Sequence, residues 1–219
     1  GRHARRLTGA SMARDTRQRI LDCALAMFNT QGEPRVTTNH IADELAISPG
    51  NLYYHFRNKD DIIEQLFAGY EARMDDALVV PDGRLPELED IWLQLHLVFE
   101  CIWDYRFLYR DLLEILSRNR RMRMRFSRIL RRASERAHAV IAGLARASIL
   151  RASPAEIDAA ATNLIVVATF WLNYSATRGD RDEQVAIREG IVQVMMLLSP
   201  ALRDAERVHL NALVQAYTH

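Results

Sequence analysis

Three residues suited to capping helices, Thr38, Ser48 and Asn58, stand ten positions apart, and this spacing constrains the chain more than any other feature. Thr38 opens a segment whose Ile41, Ala42 and Leu45 share one helical face and which ends near Ala46 and Ile47. Ser48 precedes Pro49, a pairing that suits a helix start because proline lacks only an N–H that the first turn leaves unbonded. Arg57 and Asn58 close that helix after Phe56. Asn58 then caps another, with Asp60 and Asp61 in its first turn. The pattern predicts two short helices joined by a turn of about three residues, the outline of a helix-turn-helix.

The rest of the 219 residues also reads as helix. Gly 9 and Pro 6 are too few for many short strands joined by tight turns, and 49% hydrophobic content supplies a continuous core, so the fold class is all-α. Asp15 is the expected cap of a first helix, with Ile20, Leu21, Ala24, Leu25 and Phe28 inward and a stop at Gly32 and Pro34. Residues 1–11 lack the apolar stretch of a signal peptide and read as expression-derived sequence or a mobile arm ahead of a natural start at Met12. A fourth helix, Asn58 to Leu78, turns Ile62, Ile63, Leu66, Phe67, Tyr70 and Met74 to one side. The breakers Pro81, Asp82, Gly83 and Pro86 divide the chain into a three-helix helix-turn-helix domain (12–60), a connecting helix (61–80) and a larger helical domain (84–219). Further breaks are expected at 104–106, 117–119, 153–154, 179–182 and 199–200.

Lys+Arg 29 against Asp+Glu 28 gives a net charge of +1, so any nucleic-acid surface must be local. Cys23 and Cys101 lie in apolar stretches and read as buried thiols of a reducing compartment. With no run of about 18 apolar residues, the cytoplasm fits best. Nucleophile-elbow, phosphate-loop, dinucleotide and zinc-protease motifs are missing, so no enzyme is expected. His96, Glu100 and Cys101 are adjacent on one helix, but a polar spot in a pocket is the simpler reading, and neither metal nor cofactor is expected. His138 and His209 read as core or surface residues.

The stretch TTNHIADELAISPGNLYYHFRNK, residues 37–59, carries the chemistry. Leu52 and Phe56, four apart, can anchor the third helix inward, leaving Gly50, Asn51, Tyr53, Tyr54 and His55 for a groove. Gly50 permits close backbone approach and Asn51 can read a base edge. Hydroxyls at Thr38, Ser48, Tyr53 and Tyr54 suit phosphate oxygens, and Lys59, the only lysine in the chain, supplies a compact cation. A surface hairpin without a ligand is the plainer alternative; adjacent exposed tyrosines count against it.

This stretch resembles the DNA-binding domain of the tetracycline-repressor (TetR) family, from about Thr16 to Leu66, most distinctively in SPGNLYYHFRNKDDI. The resemblance implies that Thr38, Tyr54, His55 and Lys59 contact phosphates and that Gly50, Asn51 and Tyr53 lie near bases. Pro49 stands where many members carry Lys or Arg, and Ala46 replaces a frequent turn glycine, which suggests an altered turn. The resemblance further implies a homodimeric repressor on a palindromic operator, with a C-terminal domain that binds a small-molecule effector.

Two late helices are the dimer candidates, through Leu164, Ile165, Ala168, Trp171 and Leu172 and through Ile187, Ile191, Val194, Met195 and Leu198; burial within one subunit is the alternative. Aromatics concentrate in Trp92, Phe99, Trp103, Tyr105, Phe107 and Tyr109, with Met122 nearby and Phe170, Trp171 and Tyr174 to face them. His96 and Asn173 add polar groups, so these residues are the expected site of a hydrophobic or aromatic ligand, with ordinary core packing as the rival. A C-terminal half used only for assembly or protein partners is the competing reading. Arg118 to Arg132 holds eight arginines and no acid, read as a solvated face rather than a second nucleic-acid surface, while residues 43–104 carry fourteen acids against four basic residues and can pair with it.

Overall fold

The computed structural model describes residues 2–79, 83–179 and 182–218, with the side chains of 2–11, 13 and 183 outside the described set. Pro81 and Asp82 of the expected breaker cluster, and residues 180–181 of the expected late break, therefore lie outside the described residues. Among those described, structure is helical throughout, apart from one isolated bridge between Leu150 and Leu202.

The first helix, α1 (Arg2–Gln31), runs through Asp15, so that residue is not a cap as expected; Ile20, Ala24 and Phe28 are fully buried along one stripe. A 3-10 turn at Glu33–Arg35 leads to α2 (Thr38–Glu44). Its cap is Thr37 rather than Thr38: the Thr37 hydroxyl accepts from the His40 N–H, and the His40 ring accepts from the Thr37 N–H. The turn beyond α2 places Ala46 at φ 52, with Ile47 N–H on the Ala42 carbonyl and Ala46 N–H on that of Asp43. That is the double hydrogen bond of a left-handed helix stop. The alanine thus adopts a left-handed conformation, which glycine takes without strain.

Ser48 caps α3 (Pro49–His55) by accepting from Asn51 N–H at 3.1 Å, and Asn58 caps α4 (Lys59–Ala77) by accepting from Asp61 N–H at 2.8 Å. The larger domain follows as α5 (Leu88–Asp104), α6 (Arg106–Arg110), α7 (Leu112–Arg118), α8 (Arg120–Arg146), α9 (Pro154–Arg178), α10 (Glu183–Met196) and α11 (Asp204–Thr218). Here α9 packs on α8 and α10, α5 bridges α4 to α10, and the short α6 lies between α1 and α9. Asn29 fixes that last junction from both ends: it donates to the Asp104 carbonyl at 2.8 Å and accepts from Phe107 N–H at 3.1 Å.

The arginine-rich start of α8 runs beside the acids of α4, as the charge balance allows: Arg125 meets Glu71 at 2.5 Å, and Arg132 meets Asp75. Arg118, at the end of α7, meets Glu33 of the 3-10 turn at 2.9 Å.

Candidate nucleic-acid interface and ligand cavity

The third helix is held by its apolar side and free on the other. Leu52 and Phe56 are 0% and 3% exposed, while Tyr53 and Tyr54 are 48% and 79% exposed. Arg17 of α1 covers the Phe56 ring at 4.8 Å, which fixes the end of α3 on the domain core. Gly50 and Asn51 are exposed, and a Cβ built on Gly50 would find only the Ser48 hydroxyl, at 3.9 Å. Nothing inside the free domain demands glycine there. Tyr54 and the half-buried His55 meet edge to face at 5.1 Å.

Three candidates, Thr38, Tyr53 and Lys59, are engaged internally. The hydroxyls of Thr38 and Tyr53 share a hydrogen bond at 3.1 Å, so the pair has one O–H left to give. Lys59 donates to the carbonyls of Glu33 and Val36, each at 3.0 Å, and its ammonium forms an ion pair with the Glu33 carboxylate at 2.8 Å. The cation expected to face phosphate instead ties the start of α4 to the turn after α1, around a fully buried glutamate. Sequence alone gave no sign of this partner, because Glu33 lies 26 positions upstream.

The larger domain encloses a cavity of about 100 Å³ between α4, α5, α8 and α9. Its walls are mainly aliphatic, including Leu95, Val98, Ile129 and Val140, with the Tyr70–Tyr109 hydroxyl pair, 2.7 Å apart, in the lining. Burial pushes both phenols up, so they stay protonated. Met74 and Leu78 bring the connecting helix into the same wall.

Among the expected ligand residues, Tyr109 alone lines this cavity. Phe99 and Trp171 instead close on Gly190 of α10, where a Cβ would come within 2.7 Å and 2.6 Å of their rings, and Trp171 Nε1 donates to the Ala186 carbonyl. Trp92 and His96 meet Tyr217 of α11 edge to face, and Trp103 lies under the Arg106 guanidinium at 4.1 Å. Tyr105 packs over Gly69, Phe107 packs against Phe28 at 5.2 Å, and Met122 is buried. Asn173 donates to the Arg110 carbonyl at 3.2 Å. Phe170 and Tyr174 face outward, 43% and 55% exposed. The aromatic concentration is thus mostly interhelical packing.

The expected dimer residues are also largely internal. Leu164, Trp171, Leu172, Ile191, Val194, Met195 and Leu198 are buried within the chain, Ile187 is half-buried, and Ile165 and Ala168 line the cavity. The outward stripe on α9 is Val166, Phe170 and Tyr174, beside Val185 and Met196 on α10. By length and composition α9 could cross a membrane, yet only 28% of its most apolar 18-residue stretch is buried in the monomer.

A small helix-turn-helix domain on a larger helical body defines the architecture of a bacterial transcriptional regulator. A family profile described as bacterial transcriptional repressor (TetR) matches residues 69–210, and one described as bacterial regulatory proteins, tetR family, matches residues 20–66. The chain belongs to the TetR family. A TetR-family regulator from Marinobacter aquaeolei VT8 is 39% identical, with a TM-score of 0.85 over 92% of this chain and 98% of that one. The regulator TtgW of Pseudomonas putida is 39% identical over 66 residues, 30% of this chain and 49% of its own length. AcrR of Shigella flexneri is 30% identical over 74 residues, 34% of each protein. The chain therefore spans half or less of the length of these curated relatives. A complex of SmeT with triclosan shares the fold, at 22% identity and a TM-score of 0.57 over 88% of this chain and 94% of that one.

Proposed function

We propose that the protein is a homodimeric cytoplasmic repressor that binds a palindromic operator through α3 and releases it when a small hydrophobic molecule occupies the cavity. The observation that carries this reading is the division of α3 into a buried anchor, Leu52 and Phe56, and an exposed face of Gly50, Asn51, Tyr53 and Tyr54. Asn51 reads a base edge; Tyr54, His55 and Ser48, with the hydroxyl proton left on the Thr38–Tyr53 pair, hold phosphates. Gly50 lets the backbone approach the groove, which accounts for a glycine that the free domain does not need.

One recognition helix reads few bases, so useful specificity calls for two heads roughly 34–36 Å apart. The outward stripe of Val166, Phe170, Tyr174, Val185 and Met196 supplies the dimer face in place of the buried residues. A ligand between Tyr70, Met74 and Leu78 on one side and α8 and α9 on the other would bear directly on α4, the helix that carries the head. About 100 Å³ is less than a drug-sized molecule needs, so binding must part these helices, and that movement changes the head spacing. The triclosan complex of SmeT supports a search among small molecules.

The test is fluorescence anisotropy on a selected operator. Asn51→Ala is expected to change which bases are preferred, and Tyr54→Ala to weaken all sequences alike. Unchanged binding by both variants would remove α3 from the interface.

A further inference from the structure

We propose that the effector is an amphipathic monoanion, a carboxylate on an aliphatic tail, whose headgroup is held by Arg136; this rests on the sensor reading of the cavity. Among the described residues, Arg136 is the only charged one in the lining of the apolar cavity. It also lines two adjoining spaces of about 260 Å³ and 460 Å³, so the three spaces meet at this residue.

Arg136 is half-buried, and among the described residues none provides its guanidinium with a hydrogen bond or an ion pair. Its neighbours differ in this respect. Arg132 is matched to Asp75 and Arg84 to Asp90, which neutralises two acids of the outer spaces and leaves Glu135, an exposed side chain, as the remaining carboxylate there. Among the described residues, the Arg136 charge at the inner lining thus has no acid paired with it.

A carboxylate meets that need, because a guanidinium holds it through two parallel hydrogen bonds and a half-desolvated charge gains most from a charged partner. A neutral hydrophobe would cover the guanidinium without replacing its water, which costs free energy. A cationic ligand would meet like charge and no acid in the inner lining. Beyond Arg136 the walls are mainly branched aliphatics from α5, α8, α9 and α10, matched to a flexible chain of about eight to ten carbons better than to a broad aromatic plate.

Isothermal titration of the full chain with decanoate, decan-1-ol and decyltrimethylammonium, each below its micellar concentration, tests the assignment. Decanoate is expected to bind at least tenfold more tightly than the alcohol, and the cation not to bind. Arg136→Gln should cost decanoate at least tenfold and leave the alcohol unchanged, while Arg136→Lys retains part of the preference; matching melting temperatures show that the variants are folded. Equal affinity for acid and alcohol, an Arg136→Gln variant with the wild-type preference, or no binding of decanoate would each overturn the proposal. Operator anisotropy in the same solutions separates the two readings. Release by the alcohol at equal affinity would keep the sensor and remove the headgroup site; Arg136-dependent binding without release would keep the site and remove the sensor.

Discussion

The ammonium of Lys59 stands 2.8 Å from Oε1 of Glu33, a carboxylate with no exposed surface, at the point where α4 leaves the DNA-binding domain. Arg118 from the end of α7 reaches the other oxygen of the same carboxylate at 2.9 Å. One buried acid thus joins the start of α4, the turn after α1 and the larger domain. Lys59→Met should destabilise the fold by about 2 kcal/mol, since Arg118 remains to compensate in part. Urea denaturation of Lys59→Met and of the pair Lys59→Met with Glu33→Leu checks this. The double variant should recover part of the loss, and a stable single variant with weakened DNA binding would return Lys59 to the phosphate role.

Ala46 occupies the left-handed region at φ 52, where a Cβ is strained by about 1 kcal/mol. Ala46→Gly relieves that strain while adding flexibility to the unfolded chain. The expected net gain is about 0.5 kcal/mol, read as a higher denaturation midpoint with unchanged slope. A loss of stability would show that the turn depends on the methyl group.

The outward face of α9 gives a cleaner test of assembly than its buried one, because a charge there cannot disturb the subunit core. Phe170→Glu should sediment as a folded monomer, with its melting transition retained in part. A folded variant that stays dimeric would place the subunit contact elsewhere.

Burial pushes the Cys101 thiol up to about 12, chiefly by desolvation, against about 8.5 for a free thiol. The folded chain holds this proton more tightly than the unfolded one. Its contribution to stability is therefore complete below about pH 8.5 and is lost as pH rises from there toward 12. At pH 8, Cys101 should resist alkylation until the protein unfolds, whereas the half-buried Cys23 reacts first. Equal native-state labelling of both would contradict the burial.

The helix-turn-helix was legible because its determinants are local. Ser48, Pro49 and Asn58 act on backbone within four residues of themselves, and Leu52 and Phe56 share a face by spacing alone. The cavity was not legible, since spacing reveals which residues are apolar but not which of them a neighbouring helix will close upon. Phe99 and Trp171 become core because Gly190 lets α10 approach them, and nothing near Gly190 in the sequence announces that meeting. Likewise α9 is apolar on several sides, and its pattern could not say that Leu164 turns inward while Val166 and Phe170 turn out. Arg136 was hidden for a related reason: among so many arginines, only the fold tells which one lines the cavity.

The central claim is that two copies of α3 read one two-fold site under ligand control, and its most direct measurement is selection of random DNA by the purified protein, followed by sedimentation of the complex. The account predicts an enriched inverted repeat whose half-sites are centred about one helical turn or a multiple apart, bound by an even number of chains. Enrichment of an asymmetric site bound by a single chain, or no enrichment above bulk DNA, would contradict it.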